Sequence, residues 1–165
     1  MATQIQLRRG TTSQHSTFTG AAGEVTVDTD KDVAVVHDGS TAGGFPLAAI
    51  AKAQTFTAAQ RGTVSALTDG ATITPNFATA NNFSVTLGGN RTLANPTNLT
   101  AGQSGAIAIT QDGTGSRTLA FGSYWKFAGG TAPTLTTTAS KVDVLVYYVE
   151  SSTRISAQLL LNMGG

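Results

Sequence analysis

The sequence predicts an all-β protein in which one short helical stretch separates two β regions. Apolar and polar side chains alternate with a period of two in segments such as residues 83–87 and 107–110, which is the pattern of half-buried strands. Turn signals follow these segments, Gly88-Gly89-Asn90 after the first and Asp112-Gly113 after the second, and such signals recur at about the eight-to-twelve-residue spacing typical of β-sandwiches. Helical spacing of apolar residues occurs at one place, within residues 51–68.

Residues 1–50 are predicted to form a small β module. Residues 4–7 alternate and predict a first strand, which a turn at residues 8–12 ends. Two further alternating segments, residues 25–28 and 33–37, flank the polar turn at residues 30–32. Two strands joined by such a turn predict a β-hairpin.

Residues 51–68 are predicted to be a short helical linker. Thr57 and Gln60 have the spacing of a capping box, in which the two side chains satisfy each other's end amides. Gly62 weakens this prediction because glycine costs about 1 kcal/mol relative to alanine inside a helix. The apolar residues that would share one helical face are Phe56, Ala59, Val64 and Leu67.

Residues 69–165 are predicted to form an antiparallel β-sandwich, or a jelly-roll-like domain. The first strand, residues 71–74, is followed by Pro75, which confines that strand to an edge or an end. Residues 142–149 are nearly all apolar and are therefore expected to form a central strand. Residues 154–161 are expected to return beside them.

The composition predicts a protein with little apolar surface to bury. Of its 165 residues, 36 are Val, Ile, Leu or Phe, about 22% of the chain. This fraction is only slightly above the roughly 20% below which chains tend to be disordered. Identical subunits that share strand faces would compensate, so we expect an obligate oligomer; a loosely packed monomer is the alternative. Cysteine is absent, which excludes disulfides.

The charge pattern and hydropathy argue against nucleic acid and membrane as partners. Charged residues make up 12% of the chain and the net charge is +1, so no large basic field exists to recruit nucleic acid. Residues 1–9 lack the apolar run of a secretory signal, and residues 142–149 are too few to span a bilayer. We expect a soluble chain that is made in the cytoplasm.

No catalytic or metal-binding constellation is evident from the spacing. Residues 28–32 resemble the start of a calcium loop, but Val33 and Gly39 occupy the positions where an EF-hand needs glycine and glutamate. His15 and His37 are the only histidines, and no further ligands at zinc-site spacing accompany them. No Gly-x-Ser-x-Gly elbow is present. We therefore expect no enzyme activity, no catalytic residue, no metal and no cofactor.

Tyr124, Trp125 and Phe127 are the candidate ligand-contact residues. Aromatic rings beside Lys126 and glycine are suited to stacking on sugar rings or anchoring a partner. The alternative, which we favour, is that the only tryptophan is buried in the thin core.

Arg8 and Arg9 are adjacent basic residues at the end of the first predicted strand. We expect them to form salt bridges with nearby acidic residues rather than bind phosphate.

Two parts of the chain resemble modules of phage fibres. Residues 6–12, 21–24, 28–30 and 38–39 have the order and spacing of the N-terminal module shared by the phage major tropism determinant and many tail-fibre proteins. This resemblance implies an intertwined trimeric β unit near the virion. It also makes Leu7, Arg8, Arg9 and Glu24 candidates for virion attachment or trimer contact.

The second resemblance covers most of residues 71–163. Residues 87–99, 111–122 and 129–135 are similar to a β domain common at the C-terminal ends of phage tail fibres. Together the two resemblances imply a short homotrimeric virion fibre or spike, with its N-terminal end on the particle and its C-terminal domain turned toward the host surface. The implied partners are the chain itself, other capsid or tail proteins, and a host cell-surface glycan as a further candidate.

Other functions stay open at this point. A capsid decoration, a head fibre or a tail adaptor without receptor binding would fit so short a chain. A free carbohydrate-binding module is a hypothesis of a different class and would use the aromatic residues around Trp125. A polysaccharide hydrolase ranks last, because such enzymes usually need paired carboxylates and no such pairing is evident in the pattern.

Overall fold

The chain divides into two compact units, Met1–Ala59 and Gln60–Gly165. The structure is a computed structural model that describes residues 6–48, 56 and 58–163. Thirteen strands make up most of the regular structure of these residues, alongside one short α-helix and one 3₁₀ turn. The predicted all-β class is therefore confirmed.

The N-terminal unit is a single four-stranded sheet with the strand order β1-β2-β3-β4. Strands β2 and β3 pair antiparallel, as predicted for the hairpin, and β1 pairs parallel with β2. The elements of this unit are β1 (Arg9–Gly10), α1 (Thr12–His15), β2 (Val25–Asp28), β3 (Val33–Val36) and β4 (Phe45–Pro46).

A capping box fixes the start of the single α-helix in the described part of the chain. The Thr11 hydroxyl accepts a hydrogen bond from the Gln14 N–H, and the Gln14 side chain accepts one from the Thr11 N–H. This reciprocal pair satisfies two end amides of α1. No helix among the described residues is long and apolar enough to cross a membrane.

The C-terminal unit contains two sheets. A six-stranded sheet has the order β11-β13-β12-β9-β7-β5, and a three-stranded sheet has the order β10-β8-β6. The strands are β5 (Val64–Ala66), β6 (Thr72–Ile73), β7 (Asn82–Leu87), β8 (Arg91–Leu93), β9 (Ser104–Gln111), β10 (Leu119–Phe121), β11 (Trp125–Lys126), β12 (Val142–Ser151) and β13 (Arg154–Leu160).

The inner faces of the two sheets share one apolar core. Ile73 and Leu93 come from the three-stranded sheet, whereas Phe83, Ile107 and Leu145 come from the six-stranded one, and all five are almost completely buried. Strand β12 lies in the interior of its sheet and β13 returns antiparallel beside it. These features confirm the predicted two-layer sandwich, the central strand and its returning neighbour.

The predicted antiparallel strand arrangement holds only in part: β12 pairs antiparallel with both β9 and β13, but the other strand pairs of this unit are parallel. Strand β7 pairs parallel with β9, β5 pairs parallel with β7, and β11 pairs parallel with β13. All pairs in the three-stranded sheet are parallel as well. Alternation of side chains reports that a segment is a half-buried strand, but it carries no information on the direction of the neighbouring strand.

The predicted helical linker over residues 51–68 is also wrong where it can be tested. Residue 56 and residues 58–68 contain no helix, and Val64–Ala66 forms β5. Pairing with β7 gives this segment backbone partners, and both Gly62 and the β-branched Val64 disfavour a helix. The rest of the prediction, including Thr57 of the expected capping box, lies outside the described residues.

The first strand of the described residues begins beyond the end of the predicted one. Gln6 and Leu7 are not in a strand, and β1 occupies Arg9–Gly10, where a turn was expected. Parallel pairing with β2 places this strand, since so short a segment depends on its neighbour more than on its own alternation. The remainder of the predicted strand, residues 4 and 5, lies outside the described residues.

Candidate functional site

The N-terminal sheet presents an apolar face to solvent. Cross-strand register places Val25 opposite Val36, and Val36 opposite Phe45. Phe45 and Leu47 are each more than half exposed, at 53% and 54%. We call this surface the outer face and define it by the outward residues Val25, Val27, Ala34, Val36, Phe45 and Leu47.

The candidate attachment residues lie beside this sheet. A salt bridge of 3.1 Å joins the Arg8 guanidinium to the Glu24 carboxylate, and the same guanidinium lies 4.8 Å from the centre of the Phe18 ring. Arg9 is in register with Val27 and is exposed. Leu7 is 49% exposed. Arg8 and Glu24 thus pair with each other within the unit, whereas Leu7 and Arg9 are exposed. The role of these four residues in virion attachment or trimer contact stays a prediction.

The inward side of the same sheet carries a buried polar network. The Thr26 hydroxyl lies 2.8 Å from His15 Nε2 and 2.9 Å from His37 Nε2, and all three side chains are buried. Gly20 lies directly against the His37 ring, where an added Cβ would be 2.6 Å from Cγ. The two histidines therefore hold the unit together rather than face a ligand.

The acidic turn at residues 28–32 is a structural element. The Asp28 carboxylate accepts hydrogen bonds from the Thr12 hydroxyl and from the backbone N–H groups of Asp30 and Lys31. Burial alone would raise the pKa of Asp28, but these bonds and the nearby Lys31 charge lower it below its usual value. Asp28 is thus an ionised acceptor that fastens α1 to the hairpin turn.

Among the three aromatic candidates, the structure separates Trp125 from the other two. Trp125 is 4% exposed, and its indole N–H donates to the Ala94 carbonyl at 3.0 Å. Tyr124 and Phe127 are half-buried, and the Phe127 ring packs edge-on against Phe121 at 4.7 Å between centroids. Trp125 is therefore buried in the core, as the favoured alternative predicted. The ligand role of Tyr124, Trp125 and Phe127 stays a prediction.

Phe127 also lines a groove that was not predicted from the sequence. The groove has a volume of about 640 Å³ and follows β13. Strand β11 pairs with β13 only at Ile155 and Ser156, so the edge of β13 beyond Ser156 is left without a strand neighbour in the described part of the chain. We call this cavity the β13 groove; the side chains that line it include Phe127, Thr131, Tyr148, Ser156, Gln158 and Leu159.

The acidic residues of the C-terminal unit are engaged in structural contacts. Asp143 is buried and accepts the backbone N–H groups of Thr136 and Asn162. Asp112 accepts two hydrogen bonds from the Arg117 guanidinium. Across the described residues, no cluster of three or more histidine and acidic side chains could hold a metal ion.

An exposed apolar sheet face and an uncharged aromatic groove on all-β units are typical of structural and binding proteins. Comparison with known protein families identifies the class of protein more closely. Residues 67–149 match the phage tail fibre C-terminal domain, and residues 5–41 match the major tropism determinant N-terminal domain. Because the first match spans half of the chain, the chain belongs to the phage tail fibre C-terminal domain family, and both resemblances predicted from the sequence are confirmed.

Individual relatives agree with this assignment. The tail fiber receptor-binding protein of Bordetella phage BPP-1 is 73% identical over 48 residues, which are 29% of this chain and 13% of that protein. The chain therefore spans only a small part of the length of this curated relative. The names of this relative and of the family that matches residues 67–149 describe tail fibre proteins, which are virion components.

Solved structures of major tropism determinant variants are also similar in sequence. The I1 variant is 73% identical over 27% of this chain and 12% of its own, with a TM-score of 0.27. The U1 variant is 27% identical over 93% of this chain and 31% of its own, with a TM-score of 0.28.

Proposed function

We propose that the protein is a short homotrimeric fibre of a phage particle. Its N-terminal unit attaches to the capsid or tail, and its C-terminal unit points outward and contacts the host surface. One observation supports the proposal most strongly. A segment that is 73% identical to part of a tail fiber receptor-binding protein is followed in the same chain by a match to a tail fibre C-terminal domain. The chain would be made in the host cytoplasm and become part of the virion.

The outer face supports the homotrimer. Its apolar side chains are exposed on a sheet that has few other ways to bury them, and burial is worth about 25 cal/mol per Å² of apolar surface. Exposed apolar patches of this kind mark interaction surfaces. Two further copies of the same sheet would cover the patch symmetrically, since closed rings of identical subunits are the usual arrangement of homo-oligomers.

The candidate attachment residues support the orientation of the fibre. Leu7 and Arg9 are exposed, and they lie in the part of the chain that matches the major tropism determinant N-terminal domain. The C-terminal unit, which contains the β13 groove, would then point outward and contact the host surface. A head fibre, a capsid decoration or a tail adaptor differs from this proposal in the address on the particle and in host contact.

Particle composition tests the proposal. Phage that encode the protein without residues 1–50 should assemble particles from which the protein is absent, while phage with the full chain and a C-terminal label should carry the label at the outer tip of a projection. Immunoblots of purified particles and electron microscopy of the label give the two readouts. Incorporation of the shortened protein at the full level would contradict the attachment role.

A further inference from the structure

The β13 groove exists because the sheet edge is only partly covered. Strand β11 ends at Lys126, after pairing with Ser156, and the chain then turns away through a 3₁₀ turn at Ala128–Gly130. This leaves a concave surface between the segment that follows Phe127 and the edge of β13. Its volume of about 640 Å³ lies within the range of small-molecule sites, about 300–1,000 Å³.

Two aromatic rings line the groove and are accessible to a ligand. Tyr148 is 51% exposed, and Phe127 is half-buried with its ring braced by Phe121. A large aromatic side chain that is exposed at the centre of a sheet face is not used for core packing. The flat faces of such rings pack on the apolar C–H faces of sugar rings, and a tyrosine adds a hydroxyl at the polar end.

Polar side chains in the groove have hydrogen-bonding capacity that the described part of the protein does not use. The Gln158 amide, the Tyr148 hydroxyl and the Thr131 hydroxyl form no hydrogen bond with another described residue. Gln158 lies beside Tyr148 because β12 and β13 pair with Val146 opposite Gln158 and Tyr148 opposite Ser156. One amide, with two donors and an acceptor, and two hydroxyls match the hydroxyl groups of a sugar.

The lining also restricts the charge of the ligand. None of the described residues that line the groove is charged, so a sialic acid, a phosphate or an acidic peptide would lose hydration without gaining a counter-charge. A neutral ligand with many hydroxyl groups and apolar ring faces fits this lining best.

We propose that the β13 groove binds a neutral sugar chain of the host surface, with Tyr148 and Phe127 stacking on the sugar rings and Gln158 donating to and accepting from their hydroxyl groups. The inference rests on the proposed function, because it gives the outward unit its ligand. It places the glycan contact at Tyr148, Phe127 and Gln158 rather than at the buried Trp125. Tyr148 and Gln158 were not among the residues predicted from the sequence.

The test uses the full chain on an array of neutral oligosaccharides built from hexoses and N-acetylhexosamines, with sialylated and phosphorylated oligosaccharides as charged arms. We expect binding to neutral members, and a loss of affinity of about tenfold or more for Tyr148→Ala and for Gln158→Ala. The matched controls are Val64→Ala and Thr86→Ala, which remove exposed side chains of the same sheet far along the strand order from β13. Unchanged Trp125 fluorescence verifies that each variant is folded.

The inference is overturned if no neutral oligosaccharide binds, if only the charged arms bind, or if Tyr148→Ala and Gln158→Ala bind as tightly as the unsubstituted chain. Capture of a host protein, rather than a sugar, by the groove would overturn it too. Measurements on phage particles distinguish failure of this inference from failure of the proposed function. If the full chain is on the particle and binds host cells without binding sugars, only the inference is lost, whereas absence of the chain from the particle removes the proposed function.

Discussion

The imidazole rings of His15 and His37 are nearly parallel, with 6.3 Å between their centroids, and the Thr26 hydroxyl bridges them. The Gly20 N–H donates to His37 Nδ1, so His37 Nε2 must donate to Thr26. The Thr26 hydroxyl then donates to His15 Nε2, and His15 Nδ1 donates to the Thr11 carbonyl. Each hydrogen bond of this network then pairs one donor with one acceptor.

Replacing Thr26 with valine should destabilise the N-terminal unit strongly. The change keeps the shape of the side chain but leaves a buried nitrogen on each histidine without a partner, and each such loss costs about 1–3 kcal/mol. Scanning calorimetry of the full chain should record a lower transition temperature for this unit. Thr19→Val is the control, because Thr19 is exposed; an equal effect of the two substitutions would show that the bridge contributes nothing.

Gly105 should tolerate no side chain. A Cβ at this position would overlap the Asn81 carbonyl oxygen and lie 2.8 Å from the Tyr147 hydroxyl, and that hydroxyl donates to the same carbonyl at 2.6 Å. Gly105→Ala should therefore separate β7 from β9 and cost about 3 kcal/mol or more. Urea unfolding followed by Trp125 fluorescence measures this loss.

Gly113→Ala is the matched control for that experiment. No atom lies within 4 Å of a Cβ built on Gly113, so this substitution in the same unit should change the free energy of unfolding by less than about 0.5 kcal/mol. If Gly105→Ala were as stable as Gly113→Ala, the close approach of Asn81 to β9 would be wrong.

Asp69 should contribute stability that disappears in acid. Its carboxylate accepts Arg91 Nε at 2.9 Å and Nη2 at 2.7 Å. These bonds, helped by the Gly88 N–H and the Arg91 charge, outweigh desolvation and hold the pKa of Asp69 below its usual value. The stabilisation is therefore complete above the unfolded-state pKa, about 4, and is lost as the pH falls through the lower folded-state pKa.

The variant Asp69→Asn should consequently be less stable by about 1 kcal/mol at pH 7 and should lose less stability than the unsubstituted chain between pH 5 and pH 2. Urea unfolding at several pH values, read from Trp125 fluorescence, measures both. Arg91→Lys keeps the charge but not the two-bond geometry, so we expect an intermediate result. A decline in acid that is as steep in Asp69→Asn as in the unsubstituted chain would refute the role of this pair.

Charges on the outer face should dissociate the oligomer without unfolding the subunit. Phe45 and Leu47 are more than half exposed, so Phe45→Asp and Leu47→Asp remove little from the core of the unit. In the proposed trimer, however, each would bury an unpaired charge at the interface, which is costly. Size-exclusion chromatography should detect smaller particles with an unchanged circular dichroism spectrum. Leu161→Asp, at an equally exposed leucine of the C-terminal unit, should leave the size unchanged.

The sequence predicted the elements that depend on neighbours along the chain. The β2–β3 hairpin and the β12–β13 pair follow from alternation and from the turns between their strands. The parallel pair β7–β9 could not be predicted, because its register depends on contacts between distant segments. Thr11 and Gln14 carry the same capping signature that was assigned to Thr57 and Gln60, and only the structure identified the first pair as a helix start.

Which aromatic residues reach the surface could not be predicted from the sequence, for a comparable reason. Trp125 and Phe127 are two residues apart, yet one is buried and the other lines the β13 groove, because the ends of β11 and of its pairing with β13 determine which rings reach the surface. Tyr148 and Phe127 come together only through the sheet. Burial of the single tryptophan, in contrast, followed from the shortage of large apolar residues in the composition.

Sedimentation equilibrium of the full chain at micromolar concentration tests the proposed fibre most directly. One chain has a mass of 16.8 kDa, and our account predicts one species of three chains, about 50 kDa, that persists on dilution. A folded, heat-tolerant species with the mass of a single chain would contradict it.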